Sequence, residues 1–112
     1  MLLFQVCYQI LKFRHLITLK EKFKCSVGYS GHEIGATNIS VPAVMMGASS
    51  IERHITLSRA AYGHDQAASL EPQGIHRLVR DIRILERIRG NGKKKIWPAE
   101  IHNQKKLRQI FC

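Results

Sequence analysis

The chain's 112 residues suffice for one small domain, and a 45% hydrophobic content excludes a disordered chain. Eighteen Lys and Arg against eight Asp and Glu give +10, but residues 1–75 hold seven basic and five acidic groups while residues 76–112 hold eleven and three. Any nucleic-acid role must therefore rest on the C-terminal third, and three cysteines (Cys7, Cys25, Cys112) without a CxxC pair supply no disulfide framework and point to a reducing compartment.

In chain order, residues 1–8 (MLLFQVCY) are apolar but lack a basic n-region and a small-residue cleavage site, so no signal peptide is expected. No run approaches the ~18 apolar residues of a membrane span. Residues 2–8 read as a short strand. A helix follows, with Phe13, Leu16, Ile17 and Phe23 at helical spacing and Lys12, Lys20, Glu21, Lys22 and Lys24 on the wet side. Residues 25–30 (CSVGYS) read as a second strand ended by Gly31. Residues 35–47 are small and apolar and suit a buried helix stopped at Gly47. Residues 50–56 (SIERHIT) alternate in type and form the third expected strand. After a polar loop over 58–69, a long amphipathic helix starts near Pro72, carries Ile75, Leu78, Val79, Ile82, Leu85 and Ile88 on one stripe, and stops at Gly90. From Asn91 onward, Gly92, the Lys93–Lys95 run and Pro98 read as a basic linker.

The order β-α-β-α-β-α followed by a linker defines an α/β protein with parallel strands joined by right-handed helical crossovers. Three parallel strands cannot cover both faces, and bare edges are a liability that an intact domain closes. The pattern is that of part of a larger α/β fold.

Parallel-strand proteins place chemistry at strand C-terminal ends. Ser30-Gly31-His32 closes the second strand and Glu52-x-His54 the third, where a two-residue period puts Glu52 and His54 on one face. If those strands are neighbours, His32 and His54 could share a divalent ion. Mn²⁺ or Mg²⁺ would need further oxygen ligands, which leaves positions open for substrate. Glu52 could then orient an imidazole, accept a substrate hydroxyl or transfer a proton. The plain alternatives stand beside these. Histidines at strand ends are often ordinary hydrogen-bonded residues, and a 22-residue separation is no zinc signature. Glu52 could pair with Arg53 or Arg59, Asp65 could be a turn residue, and Met45 and Met46 could be core filler.

Three segments go further. Residues 27–33 (VGYSGHE), 52–57 (ERHITL) and 68–72 (ASLEP), in that order, closely resemble the animal branch of the sialic acid synthase (N-acetylneuraminate synthase) family. The likeness runs from about Phe13 to Arg108. It implies the C-terminal portion of a TIM (β/α)8 barrel, from about the sixth helix to the eighth. Residues 1–90 would be partial barrel, and residues 91–112 a basic linker toward an antifreeze-like domain.

The resemblance also implies an activity: condensation of phosphoenolpyruvate with N-acetylmannosamine or its 6-phosphate, giving N-acetylneuraminate or its 9-phosphate and phosphate. On the matching positions, His32 and His54 would ligate Mn²⁺ or Mg²⁺. Ser30 would contact phosphoenolpyruvate, Glu52 would lie at the reacting centre with His54, and Asp65 would hold the amino sugar. A cytoplasmic homodimer is implied as well.

Departures accompany the likeness. The stretch from His32 to Gly47 is one residue longer than the family's spacing, Pro42 stands where a small helix former is expected, and Gln66 replaces a histidine. A barrel of this type needs roughly 250 residues, so the chain alone is expected to be inactive. The alternative is a truncated, non-catalytic product acting at most as an interaction partner. A nucleic-acid module is not expected, because only Trp97 and Phe111 interleave the basic residues of the tail.

Overall fold

The computed structural model describes residues 2–6 and 13–107. In order come strand β1 (Leu2–Val6), helix α1 (Arg14–Phe23), strand β2 (Val27–Gly31), helix α2 (Ser40–Met45), strand β3 (Ile51–Arg53), helix α3 (Pro72–Ile88) and helix α4 (Pro98–Leu107). A single 3-10 turn, Gln66–Ala68, precedes α3. Cys7 and Tyr8 of the expected first strand lie outside the described residues, as do Lys12, Arg108 and Cys112.

The three strands form one parallel sheet in the order β1-β2-β3. Leu2 is in register with Val27, and Ser30 and Gly31 with Glu52 and Arg53. The pleat sends Val27, Tyr29 and Ile51 to one face, where they pack with Leu16, Ala43 and Ala48 and with the half-buried Phe13, Leu19, Ile39 and Met46. The Phe13 and Tyr29 rings meet edge to face at 6.3 Å. Ser30 and Glu52 are on the other face.

The helical stripes are narrower than their sequence periods suggest. In α1 only Leu16 is buried, while Ile17 and Phe23 are exposed. In α3 Leu78 and Leu85, two turns apart, are buried, and Val79 and Ile88 face solvent. One covered row per helix is what remains when α1 lies on the short sheet, α3 lies on α2, and no other described element packs on their far sides.

Two elements are shorter than expected. The helix expected over 35–47 begins only at Ser40, because the chain turns at Gly35 with φ +112°. Pro42 consequently falls in the first turn of α2, the part of a helix that tolerates proline best, between the Val41 N–H to Thr37 O (3.2 Å) and Ala43 N–H to Ile39 O (3.0 Å) bonds. The stop at Gly47 is as expected. Gly47 has φ +98°, its N–H reaches Val44 O (3.0 Å), and Ala48 N–H reaches Ala43 O (3.0 Å), a Schellman end. The third strand ends at Arg53 rather than Thr56. Beyond it the chain pairs with Leu70 instead: Leu70 N–H donates to His54 O (2.8 Å) and Thr56 N–H to Leu70 O (3.0 Å). A further difference lies in the C-terminal segment, where residues 98–107 of the expected linker form helix α4. It opens at Pro98, and the Trp97 N–H donates to Glu100 Oε2 (2.9 Å). No residue of α4 is buried.

Candidate active site at the strand ends

Adjacent parallel strands in register deliver their next residues side by side. Because Gly31 pairs with Arg53, His32 and His54 emerge together, with ring centroids 4.4 Å apart and planes at 63°. Asp65 reaches the same mouth from the loop after β3. Its backbone is left-handed (φ 61°), a conformation Asp tolerates better than most residues, and its carbonyl accepts the Ser69 hydroxyl (2.8 Å) and the Ala68 N–H (3.1 Å). Asp65 Oδ2 lies 3.9 Å from His32 Nε2 and 3.9 Å from His54 Nδ1. Each of the three residues offers one ligand atom, and those atoms lie within 4.8 Å of one another. Two imidazole nitrogens and a carboxylate oxygen, partly open to solvent, are a donor set that fits a six-coordinate ion such as Mn²⁺ or Mg²⁺ with water or substrate oxygens completing the shell.

Ser30 and Glu52 form a second feature, one row further into the sheet. They are register partners, and the Ser30 hydroxyl donates to Glu52 Oε2 at 2.5 Å. Glu52 therefore pairs with neither arginine. The Arg59 backbone N–H donates to Glu71 Oε1 (2.9 Å), and its guanidinium to Ala67 O (2.8 and 3.0 Å). Gln66, at the position of the expected histidine, buries an Oε1 that has no hydrogen-bond partner among the described residues.

Arg53 and Glu33 form a network that the motifs did not suggest. Arg53 Nη1 pairs with Glu33 Oε1 at 2.5 Å and donates to Ser40 Oγ at 3.1 Å. Its Nη2 donates to Glu33 O (2.6 Å) and Ala68 O (3.1 Å). Glu33 also accepts from the Tyr29 hydroxyl (2.8 Å) and from Ser40 Oγ (3.2 Å). Only 3% of the Arg53 side chain and 2% of the Glu33 side chain are exposed. The signal was in the alternation: with Glu52 on the open face, Arg53 must point at the helices, where a charge needs a partner. Burial, reinforced by the adjacent Glu33 carboxylate, pushes the Tyr29 phenol above its usual pKa of 10.0, with Arg53 opposing. Gly31 is required here, since a Cβ would collide with the Glu33 carboxylate and sit 2.8 Å from the Tyr29 ring.

A parallel sheet with its helices on one face and its polar groups gathered at the strand ends is the layout of part of a (β/α)8 barrel. The fold matches the crystal structure of N-acetylneuraminic acid (sialic acid) synthetase from Leptospira borgpetersenii in complex with citrate. The TM-score is 0.73 at 30% identity, covering 96% of this chain and 40% of that one. The NeuB family matches residues 5–94, and the chain belongs to that family of synthases. Over 81 residues it is 48% identical to the N-acetylneuraminate-9-phosphate synthases of Mus musculus and Homo sapiens, covering 72% of this chain and 22% of theirs. It is 44% identical over 86 residues to the N,N'-diacetyllegionaminic acid synthase of Campylobacter jejuni, covering 77% of this chain and 25% of that one. The chain thus spans about a quarter of the length of the curated relatives it matches.

Proposed function

We propose that this chain carries the metal-bearing part of a sialic acid synthase that condenses phosphoenolpyruvate with N-acetylmannosamine or its 6-phosphate. The products would be N-acetylneuraminate or its 9-phosphate, and phosphate. The observation that carries the reading is the meeting of His32, His54 and Asp65 within 4.8 Å at adjoining strand ends. The higher identity to the N-acetylneuraminate-9-phosphate synthases than to the legionaminic acid enzyme favours this acceptor class.

In this reading His32 and His54 hold Mn²⁺ or Mg²⁺, which when bound supplies Lewis acidity toward the acceptor's aldehyde oxygen. The Ser30 hydroxyl, held by Glu52, is aimed by that bond and contacts phosphoenolpyruvate. The second carboxylate oxygen of Glu52 remains to orient the acceptor or take up a proton beside the reacting carbon. Asp65 presents its carboxylate to both imidazoles and, from an exposed loop, to the amino sugar. The enzyme works as a cytoplasmic homodimer; among the described residues no helix is long and apolar enough to cross a membrane.

The 112-residue chain alone turns over no substrate in this reading, because among the described residues gathered at the strand ends (Ser30, His32, Glu52, His54 and Asp65) none carries a fixed positive charge to neutralise the phosphate and carboxylate of phosphoenolpyruvate. A second reading, a non-catalytic product that associates with itself or with a complete synthase, is favoured by Leu57 and Tyr62, which stand fully in solvent. The function is tested by a chimera in which the matching segment of the mouse synthase is replaced by this one. Phosphate release with N-acetylmannosamine 6-phosphate is expected, with a loss of at least about 100-fold on His54→Ala. A folded chimera whose turnover ignores His54→Ala would refute it.

A further inference from the structure

We infer that Arg53 is a positioning residue that sets the spacing of His32, His54 and Asp65, acting through the backbone and never touching substrate. The inference rests on the metal-binding reading of that cluster. The three residues belong to three irregular segments: the bends after β2, the stretch after β3, and the left-handed turn at Asp65. Their contacts to one another through Asp65, at 3.9 Å, are too long for hydrogen bonds.

Arg53 reaches all three segments, in addition to the Leu70 backbone bonds that tie the stretch after β3 to the end of the Asp65 loop. It directly precedes His54. Through Nη2 it grips the carbonyl of Glu33, the residue after His32, and the carbonyl of Ala68. Ala68 is itself tied back to Asp65 by its N–H, and Ser69 ties to the same Asp65 carbonyl through its hydroxyl. Nη1 anchors the fork to the Glu33 carboxylate and to Ser40 at the start of α2. The side chain is 3% exposed, which keeps it from substrate. A guanidinium suits this role because its planar fork fixes several acceptors at once, which an ammonium on a flexible stem does not.

The test uses the full 112-residue chain and Arg53→Lys, which keeps the buried positive charge while losing the fork. Two readouts are taken on folded protein. One is the ring-to-ring nuclear Overhauser effect between His32 and His54 without metal; the other is Mn²⁺ affinity. The inference expects the ring signal to fall several-fold and Mn²⁺ binding to weaken by roughly 10-fold or more, with helix content unchanged. Wild-type ring signal in folded Arg53→Lys would overturn it.

If Arg53→Lys fails to fold, Glu33→Gln/Arg53→Met takes its place, since it leaves no unpaired buried charge and still removes both carbonyl contacts. Should the wild-type chain bind no Mn²⁺ while Arg53→Lys still loses the ring signal, the positioning role stands and the metal reading falls.

Discussion

A buried arginine next to a strand-end histidine is costly to dehydrate, and holding it there calls for good acceptors. Arg53 uses four of the five donors of a guanidinium, on the Glu33 carboxylate, Ser40, and the carbonyls of Glu33 and Ala68. Only its Nε is buried without a partner among the described residues. Removing one member of such a pair costs about 3–5 kcal/mol, most of it for the charge left behind. The same network contributes to stability at alkaline pH. The folded chain keeps the Tyr29 phenol protonated above the 10.0 at which it ionises when unfolded. Above that pH the unfolded chain releases a proton that the folded one retains. The contribution is therefore complete below pH 10 and is lost as pH rises beyond it. Denaturant midpoints measured from pH 9 to 11 should fall more steeply for wild type than for Tyr29→Phe; equal slopes would show that Tyr29 does not carry the effect.

At the scale of elements, α2 separates what sequence could tell from what it could not. Its C-terminal stop was legible, because Gly47 at φ +98° is a position that glycine fills without strain. Its start was not, because composition over 35–47 is uniformly small and apolar while a backbone turn at Gly35 decides where winding begins. Gly47→Ala meets no atom within 4 Å, so its cost is backbone strain alone, about 1–2 kcal/mol. Thermal unfolding should show a fall of several degrees. Pro42→Ala, by contrast, should change stability by under about 1 kcal/mol, whereas a mid-helix proline would have released about 3.

The strands and the long helix were legible for the same reason as that stop: Gly31, Pro72 and Gly90 punctuate them. The third strand was overread because Ile55 and Thr56 alternate as a strand does but spend their pairing on Leu70. At the site, the pairing of His32 with His54 followed from the topology. The Glu33–Arg53 pair did not, since a 20-residue separation carries no local signature. Helix α4 was hidden by Pro98 and the lysines before it, which read equally as linker and as a helix start.

The whole molecule is elongated, 63 × 36 × 22 Å, with a radius of gyration of 19.1 Å where about 13 Å is usual for a compact chain of this length. Helix α4 without buried residues and a three-stranded sheet explain the excess. Ile55, Leu57 and Tyr62 stand in solvent beside the strand-end cluster. Apolar surface and unpaired edges of this kind favour association, so light scattering after size exclusion should report species larger than a monomer. A clean, folded monomer would contradict that.

In the proposed reading His32 and His54, from neighbouring parallel strands, hold a divalent ion with the Asp65 carboxylate beside them. The most direct test of that reading is titration of the 112-residue chain with Mn²⁺, following the free-ion electron paramagnetic resonance signal. A single saturable site that disappears in His32→Ala and in His54→Ala is the predicted result. Folded wild-type chain that leaves the free-ion signal untouched, or binding that survives both substitutions, would contradict it.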